Sequence, residues 1–376
     1  MQVIAIDLSS KAQTRQFLEL PFWIYRDIPQ WVPPLEMDAK RHLNTRANPF
    51  FQHSTAQFLL AVRDGVPVGR LAVLNNRNYN AFNHEKTAHW FLYECEDDPQ
   101  TSRALFDAGF DWARAQGLDK VHGPKGFTAL DGLGLLVKGF EHRPAFGIPY
   151  NPSYYPAQVE AAGFVADGDI VSGYLPGAAQ FPQRLFDLAE KIQQRPGGLR
   201  IQRFTSRAQL RAFVPKLRAM YNGALSGTQG NVPLTDDEAS AMANQMLFFA
   251  DPKLIKIITK NDEPVGFMFA YPDIGAAVQR QKGRVWPFGW MDMLMEFRRS
   301  KWVNVNGAGI LEQHRGMGGT ALLFTEMAKS VQEGGFEHCD IVQIGVENDR
   351  MQRELRDLGI EFYKTHRMYM KLVAGG

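Results

Sequence analysis

The chain has 376 residues, 45% of them hydrophobic and 12% aromatic, so it can bury a sizeable core and is long enough for two domains. Its 42 basic and 40 acidic residues nearly cancel, which argues against a nucleic acid or an anionic membrane as a partner. Two cysteines are too few for a disulfide framework or a zinc site, and no apolar run reaches the ~18 residues of a membrane span. We therefore expect a cytoplasmic protein without a metal.

Taken from the N-terminus, the residues predict a strand, a helix, a hairpin and a further strand. Residues 3–6 form the first strand, and Ser10 lies near the cap of the amphipathic helix that follows. Residues 56–62 and 68–74 form two strands around an Asp-Gly turn, which favours a hairpin. Residues 87–93 form the fourth strand. This order is typical of a mixed sheet flanked by helices.

The same order recurs in the second half of the chain. Residues 199–204, 254–258, 265–271 and 302–311 repeat the four strands, and Ser206 lies near the helix cap. The sequence SKAQ at residue 10 returns as SRAQ at residue 206, an offset of 196, and PVG at residue 67 returns at residue 264, an offset of 197. We therefore predict two copies of one α/β (α+β mixed) fold, at residues 1–178 and 199–376, joined by a connector helix at residues 179–198.

Two segments fall outside the repeat. Residues 25–35 are rich in proline and aromatic residues, and residues 123–150 are rich in glycine and proline. Neither has the period of a helix or a strand. We expect long ordered loops whose aromatic residues either fill the interface between the copies or line a substrate cleft.

A segment rich in methionine and aromatic residues, residues 286–297, lies between the third and fourth strands of the second copy. Its helix-like pattern favours either the lining of an acyl or acceptor pocket or a docking surface for the first copy. In the first case Trp286 and Trp290 contact the substrate, and Asp292 or Glu296 holds a cationic amine.

A glycine-rich turn follows the fourth strand of the second copy and opens a helix. We call it the glycine loop; its residues are Gln313, His314, Arg315, Gly316, Met317, Gly318, Gly319 and Thr320. At such a helix start the backbone amides and the positive end of the helix dipole point at one spot, and glycine lets an anion come close. The glycine spacing differs from the Rossmann fingerprint, and the lysine of a Walker loop is missing. The loop therefore predicts a phosphate site of another kind.

The pattern Gln-x-x-Gly-x-Gly in this loop resembles the pyrophosphate loop of the GNAT acyltransferase superfamily. The elements after it follow the GNAT order: a helix, a strand at residues 341–346, an Asn, a short helix at residues 350–358 and two strands. The whole chain also resembles a group of bacterial GNAT-like proteins that open with Tyr-Arg-Asp-x-Pro-x-Trp-Val-Pro-Pro and have no firm substrate. The resemblance implies two tandem GNAT-like domains, each a mixed, mostly antiparallel twisted sheet flanked by helices.

The resemblance also implies a cofactor, acetyl-CoA or another acyl-CoA, bound by the second copy. The glycine loop would hold its diphosphate, with Arg315 either adding a cation or remaining solvated. Ile310 and Leu311 would pair with the pantetheine arm. Asn348 would touch the same arm or, equally, cap the helix that follows it.

The first copy lacks such a loop. When the third helices of the two copies are aligned, residues 96–102 fall opposite the glycine loop, and this segment has no glycine and several carboxylates. Those charges would repel a diphosphate, whereas Asp98 followed by Pro99 favours a helix start. We therefore predict that the first copy has lost CoA binding and is structural or shapes the substrate.

The catalytic groups are less well defined by the sequence. Many GNAT enzymes use a tyrosine seven residues after the asparagine to protonate the leaving thiolate, and here that position is Leu355. Tyr363 or Tyr369 would have to substitute, although packing is the alternative role for each. Glu312 and Glu347 are candidate general bases.

Three functions remain open from the sequence. The leading hypothesis is transfer of an acyl group, first of all acetyl, from CoA to a small-molecule amine or an amino-acid-like acceptor. The second is a sensor or partner-binding protein that binds acyl-CoA without turnover. The third is transfer of a long acyl chain, which the aromatic loops would accommodate.

Overall fold

A computed structural model describes residues 1–128, 130–224, 232–346 and 349–373. The first half contains β1 (Gln2–Ala5), α1 (Lys11–Ile24), α2 (Glu36–His42), β2 (Thr55–Arg63), β3 (Val66–Asn75), α3 (Arg77–Asn83), β4 (Thr87–Cys95), α4 (Pro99–Ala115), β5 (Lys120–Gly123), β6 (Leu135–Lys138), α5 (Tyr155–Ala161) and β7 (Val165–Pro176). The connector contains α6 (Gln183–Gln194). The second half contains β8 (Arg200–Gln202), α7 (Arg207–Ala224), α8 (Asp236–Phe249), β9 (Ile255–Lys260), β10 (Glu263–Pro272), α9 (Gly275–Arg280), α10 (Gly289–Arg299), β11 (Trp302–Ile310), α11 (Gly319–Glu333), β12 (His338–Gly345), α12 (Asp349–Asp357) and β13 (Glu361–Leu372).

Local chemistry accounts for the helix starts. Ser10 accepts a hydrogen bond from the Gln13 amide at the start of α1, and Ser206 accepts one from the Gln209 amide at 3.3 Å at the start of α7. Asp98 caps α4, with proline in its first turn. A side-chain oxygen at this position satisfies an amide that the helix leaves without a partner, so the predicted caps are confirmed.

The strands of both halves form one continuous sheet. Its order is β1-β2-β3-β4-β5-β13-β7-β12-β11-β10-β9-β8, with β6 paired to β13. Within the described residues the parallel pairs are β4 with β5 and β11 with β12, and the remaining pairs are antiparallel. Helices cover both faces of the sheet. The predicted fold class, a mixed and mostly antiparallel sheet flanked by helices in two tandem copies, is confirmed.

The last strands of the two halves are exchanged. The C-terminal strand β13 pairs with β5 of the first half, for example Tyr369 with Gly123, and β7 of the first half pairs with β12 of the second half, for example Ile341 with Gly173. The strands β7 and β13 also pair with each other along their length. The division at residues 178 and 199 stays a prediction, and hydrogen bonding crosses it.

Separate apolar cores lie in the two halves. In the first half α4 packs on β3 and β4 around Trp90, Leu105 and Phe106, which are fully buried. In the second half α11 packs on β9 and β10 around Ile258 and Leu322, and α6 packs beside α11 and β8. None of the helices in the described part of the chain is both long enough and apolar enough to span a bilayer.

Candidate functional site

The glycine loop connects the end of β11 to the first turn of α11. Leu311 donates its amide to the Val265 carbonyl of β10 at 2.9 Å, and a 3-10 turn covers Glu312–His314. The chain then turns back through Gly316 and Gly318, whose φ angles of 78° and 84° lie in the left-handed region that glycine adopts without strain. The first four amides of α11 have no carbonyl partner within the helix, so the loop presents hydrogen-bond donors at the positive end of a helix dipole. This geometry can bind an anion.

The surroundings of the glycines differ along the loop. A Cβ atom on Gly318 would collide with Ile192 of α6, and one on Gly319 would lie 2.9 Å from Cδ1 of Ile310. The connector helix α6 is therefore packed against one side of the loop. A Cβ atom on Gly316 would meet no atom within 4 Å, so this glycine faces open space.

Basic side chains lie at the same loop. The Arg315 Nε donates to the Ile310 carbonyl at 3.2 Å, which places the guanidinium beside the end of β11. Burial, and secondly the Lys260 ammonium, hold the pKa of His314 below its ordinary value, so the imidazole is neutral at pH 7. The loop thus combines amide donors with positive charge, as a diphosphate site needs.

The parallel strands β11 and β12 separate just before the loop. They pair from Trp302 opposite His338 to Asn306 opposite Val342, and beyond that point β11 stays with β10 while β12 pairs with β7. The register of β10 against β11 shifts between Met268 and Ala270, so two residues of β11 face one residue of β10 at this bulge. An extended ligand can add to a strand edge that opens in this way.

The corresponding segment of the first half is closed by ion pairs. Arg63 of β2 lies 2.6 Å from Glu96 and 2.5 Å from Asp98, and Asp98 also accepts from the Gln100 amide at 2.9 Å. Arg63 is already shared by two carboxylates at the start of α4, and a diphosphate there would be repelled by both of them. The loss of CoA binding by the first copy stays a prediction, and these contacts favour it.

A cavity of about 1570 Å³ lies between the two halves. This is larger than the ~300–1,000 Å³ of most small-molecule pockets. Its walls include parts of both long loops of the first half, α7 and α8, and the bulge of β11; among the lining residues are Trp31, Leu35, Phe146, Ile148, Phe267, Phe269, Asn306, Gly307 and Ala308. The loops at residues 25–35 and 123–150 therefore line a cleft, and the cleft reaches the part of β11 where its pairing with β12 ends.

One polar cluster in the cavity wall contains Asp38 and His42 of α2 together with Asp131. The His42 Nε2 lies 3.1 Å from an Asp131 oxygen, and the other Asp131 oxygen accepts from the Thr128 amide at 2.6 Å. Burial raises the pKa of Asp38 above its ordinary value; the Asp131 charge adds to the rise and His42 opposes it. A carboxylate with a raised pKa is a better proton acceptor near neutral pH than an exposed one.

A second polar cluster in the wall joins β3 and β4. The Arg70 guanidinium lies 3.6 Å from Glu94, the Tyr155 hydroxyl donates to Glu94 at 2.8 Å, and Arg70 donates to the Phe17 carbonyl at 2.8 Å. Burial raises the pKa of Glu94 and lowers that of Arg70. Because each charge is buried with partners, this cluster holds α1 against the sheet at the cavity wall.

The predicted catalytic tyrosines do not lie at the glycine loop. The Tyr363 hydroxyl donates to Asp340 at 2.8 Å, beside the buried ion pair of Asp340 with Lys364. Tyr369 is fully buried in the core of the first half, and its hydroxyl donates to Glu160 at 3.2 Å. Burial, and then Glu160, raise the pKa of Tyr369 to about 12. Both tyrosines sit on β13, whose exchange carries them towards the first half, so packing is the role that the contacts support.

The remaining predicted site residues lie in or near the second half's glycine loop and core, or outside the described residues. Glu347 and Asn348 lie outside the described residues. Leu355, at the position where many GNAT enzymes have a tyrosine, is buried in the core of the second half. Glu312 is exposed at the start of the 3-10 turn.

The segment around α10 does not contribute to the cavity wall. The described lining residues skip from Arg284 to Asn306. Asp292 and Glu296 lie 2.7 Å and 2.6 Å from the Arg280 guanidinium, so both carboxylates already have a cationic partner. Trp286, in the turn before the helix, is 77% exposed, and Trp290, in the first turn of the helix, is also exposed. The structure therefore does not bring the four predicted substrate residues to the cavity.

Some residues of the cavity wall were not predicted from the sequence. Arg70 and Glu94 had a signal, because each is a charge inside an otherwise apolar strand, and such a charge indicates a buried pair. Asp38, His42 and Asp131 lie in segments without a regular period and come together across 89 residues, so no local pattern marked them.

Known proteins are similar to this chain along nearly its whole length. No protein-family model matches the chain. The chain is 27% identical over 375 residues to a protein of Caulobacter vibrioides (strain NA1000 / CB15N) named bacterial ceramide synthase, covering 97% of this chain and 96% of that protein. It is 26% identical over 373 residues to protein YghO of Escherichia coli (strain K12), covering 97% and 94%.

A solved structure shows the same architecture. A tandem GNAT protein from the clavulanic acid biosynthesis pathway matches 100% of this chain and 99% of its own, with a TM-score of 0.59 and 12% identity. At that identity the likeness establishes the fold. The chain is thus a protein of the tandem GNAT fold, as its glycine loop and internal repeat predicted.

Proposed function

We propose that the protein is an N-acyltransferase that moves a long acyl chain from acyl-CoA, bound at the glycine loop, to the amino group of a long-chain amine. The observation that carries this proposal is the large cavity that reaches the bulge of β11, where the pairing of β11 with β12 ends. An acetyl group and a small amine would leave most of that volume empty, whereas two hydrocarbon chains need an extended apolar space. The similar Caulobacter protein is named a ceramide synthase, and a ceramide is the amide of a fatty acid with a long-chain amino alcohol.

The reaction balances as a simple acyl exchange. The amine nitrogen attacks the thioester carbonyl, the C–N bond forms and the C–S bond breaks, and the products are an amide and free CoA. The nitrogen loses a proton and the thiolate gains one. The protein has to align the two groups, accept the proton and stabilise the charge that develops on the carbonyl oxygen.

The residues of the wall suggest how two of these tasks are met. The bulge of β11 at Asn306 and Gly307 interrupts the ladder with β10, and a backbone amide released there is our candidate donor to the carbonyl oxygen. Asp38, with its raised pKa and its place in the cavity wall, is our candidate acceptor of the amine proton.

An assay with matched donors and acceptors tests the proposed function. Purified protein would be given acetyl-CoA or palmitoyl-CoA together with either sphinganine or a small soluble amine, and both free thiol and amide product would be measured. Each buried methylene contributes about 0.8 kcal/mol, so we expect kcat/KM for the long donor with the long amine to exceed that for acetyl-CoA by at least about tenfold. Turnover of acetyl-CoA with the small amine alone would refute the long-chain assignment.

Binding without turnover is the second candidate. The observation that favours it is the buried Leu355 where many GNAT enzymes have a proton-donating tyrosine. It predicts that calorimetry detects acyl-CoA binding while every donor and acceptor pair gives no amide. Amide formation by any pair would exclude it.

A further inference from the structure

An exposed apolar surface on α10 and the turn before it has no part in the reaction proposed above. We define the α10 patch as Trp286, Phe288, Trp290, Met291, Leu294 and Met295. Their exposed fractions run from 41% for Leu294 to 77% for Trp286. Six large apolar side chains exposed within ten residues form a contiguous surface of the kind that marks an interaction site.

The apolar face of α10 points to solvent, and its carboxylates point towards the protein, which is the opposite of an ordinary surface helix. Trp290, Met291, Leu294 and Met295 recur at the spacing of one helix face and point to solvent. The opposite face carries the buried Met293, which packs in a cluster with Leu35 and Val278, and the two carboxylates that face Arg280. The acidic groups are thus turned inward and neutralised, and the outward face carries no negative charge.

Positive charge surrounds the patch. Residues 275–301 contain six basic and two acidic residues, and Lys301 pairs with Glu337 outside this range at 3.2 Å, which leaves a local net charge of +3. Both acids, Asp292 and Glu296, lie in ion pairs with Arg280 and Arg299. An apolar face with Trp and Phe, bordered by Arg and Lys, is the composition of helices that lie in the headgroup region of a bilayer.

The residues just before the α10 patch form part of the cavity wall, although the patch itself does not. Lys282 and Arg284 line the cavity, and Trp286 follows Arg284 by two residues. The Gly283 carbonyl accepts from the Glu36 amide at 2.9 Å, which joins this turn to the proline-rich loop of the first half. A surface that holds the α10 patch therefore also meets the rim of the cavity.

From these contacts we propose that the α10 patch docks the protein on an anionic lipid bilayer. Trp and Phe enter the headgroup region, the flanking Arg and Lys side chains meet lipid phosphates, and the cavity rim faces the membrane. The near-zero charge of the whole chain predicted no membrane partner, but the charge around α10 is far from balanced. The reason for docking, access to long-chain substrates, rests on the proposed function; the docking itself does not.

Vesicle binding of the full chain tests this proposal. The protein is sedimented with vesicles of phosphatidylcholine alone or of phosphatidylcholine mixed with phosphatidylglycerol, and the bound fraction is measured at low and high salt. We expect binding to the anionic vesicles that weakens with salt, and a loss of at least about tenfold in the double variant Trp286→Ser/Phe288→Ser. The matched control is Leu372→Ser, which changes an apolar side chain that is 68% exposed outside the patch and should bind as the wild type does.

The outcomes separate docking from catalysis. Wild-type protein that stays in the supernatant with anionic vesicles, or a double variant that binds as well as the wild type, overturns the proposal. A fall in molar mass from dimer to monomer in the double variant, seen by light scattering, would make the patch a contact between two copies and also overturn it. Vesicle binding without amide formation would support docking while refuting the proposed function. Detergent-dispersed substrate should be turned over equally by the wild type and the double variant.

Discussion

Gly316 is the position in the glycine loop where an added side chain meets open space. Asn and Asp both tolerate a positive φ, so Gly316→Asn and Gly316→Asp differ chiefly in charge. A carboxylate about 4 Å from a phosphate is repelled by about 4 kcal/mol at an effective dielectric constant of 20. We expect Gly316→Asp to weaken acyl-CoA binding at least about tenfold relative to Gly316→Asn, measured by calorimetry.

The other end of α11 supplies the control for this pair. Gly335 also has a positive φ, 66°, and an added Cβ atom there would meet nothing within 4 Å. Gly335→Asp brings the same charge and the same local strain without approaching the loop, so it should bind acyl-CoA as the wild type does. Equal acyl-CoA binding by the Asp and Asn variants at residue 316 would contradict the prediction that the glycine loop binds the diphosphate.

Asp38 is the residue that the proposed mechanism uses as a base. Replacement by Asn keeps its size and removes its ability to take a proton, so kcat should fall by about 10²–10⁴ with little change in KM. The control is Asp27→Asn, which alters an exposed carboxylate that pairs with Arg26 in the same segment. An unchanged kcat for Asp38→Asn would show that Asp38 is not the base and that solvent or another group accepts the proton.

His366 links the stability of the fold to pH. It is fully buried, its Nε2 donates to the Pro149 carbonyl at 2.9 Å, and burial lowers its pKa to about 4. Since the pKa is lower in the folded state than the ordinary 6.5, the unfolded chain binds the proton first. The stabilisation is complete above pH 6.5 and is lost as the pH falls towards 4, by about 1.4 kcal/mol per pH unit.

Urea unfolding at several pH values measures this contribution. His366→Gln keeps a donor for Pro149 and cannot be protonated, so its free energy of unfolding should depend less on pH between 6.5 and 4. His84→Asn, at an exposed histidine with a positive φ, is the comparison and should retain the wild-type dependence. Parallel curves for His366→Gln and the wild type would contradict the prediction.

The elements that matter most for function are β11 and α6. The strand brings its bulge into the cavity wall and ends at the glycine loop, and the helix packs behind that loop through Ile192. The connector between the two copies is thus a structural part of the candidate donor site. The residues predicted this helix and the loop, but not the contact between them.

The bulge of β11 offers a test of acyl length. Ala308 is exposed and lines the cavity, so Ala308→Trp narrows the space beside the bulge without entering a packed core. We expect the ratio of kcat/KM for palmitoyl-CoA to that for acetyl-CoA to fall at least about tenfold, because the Trp side chain excludes several methylenes of the long acyl chain from the cavity. Ala166→Trp, at an exposed alanine of β7 outside the cavity, should leave the ratio unchanged. An unaltered ratio in Ala308→Trp would place the acyl chain elsewhere.

At the scale of the whole molecule the exchange of β7 and β13 joins the two halves. Each half contributes its last strand to a position beside the other, and the ion pair of Arg367 with Asp169, at 2.7 Å, also crosses between them. Backbone groups of β5 and β12 would lose their partners if either half were alone, and unpaired strand edges are costly. The molecule should therefore unfold as one unit.

Expression of the halves tests this expectation. Residues 1–198 and 199–376 produced separately should each fail to give a cooperative thermal transition, whereas co-expression should yield a stable one-to-one complex. Circular dichroism and light scattering distinguish these results. Cooperative melting of either fragment as a monomer would mean that the exchanged strand is dispensable.

The order of the elements, the internal repeat and the place of the glycine loop can be predicted from the residues alone. These features depend on local chemistry: Ser10 and Asp98 cap helices through amides two or three residues away, and Gly316 and Gly318 adopt their φ angles within one turn. The resemblance to GNAT proteins added the identity of the fold.

Three features depend on long-range packing: the half of the molecule that receives β13, the way the long loops enclose a cavity, and the side chains that meet in the cavity wall. Tyr369 illustrates the first point, because nothing in its own strand indicates that it packs in the first half. Asp38, His42 and Asp131 illustrate the last point, because these three side chains meet in the cavity wall. Such contacts join residues far apart in the chain, and burial against a distant surface leaves no period in the local sequence.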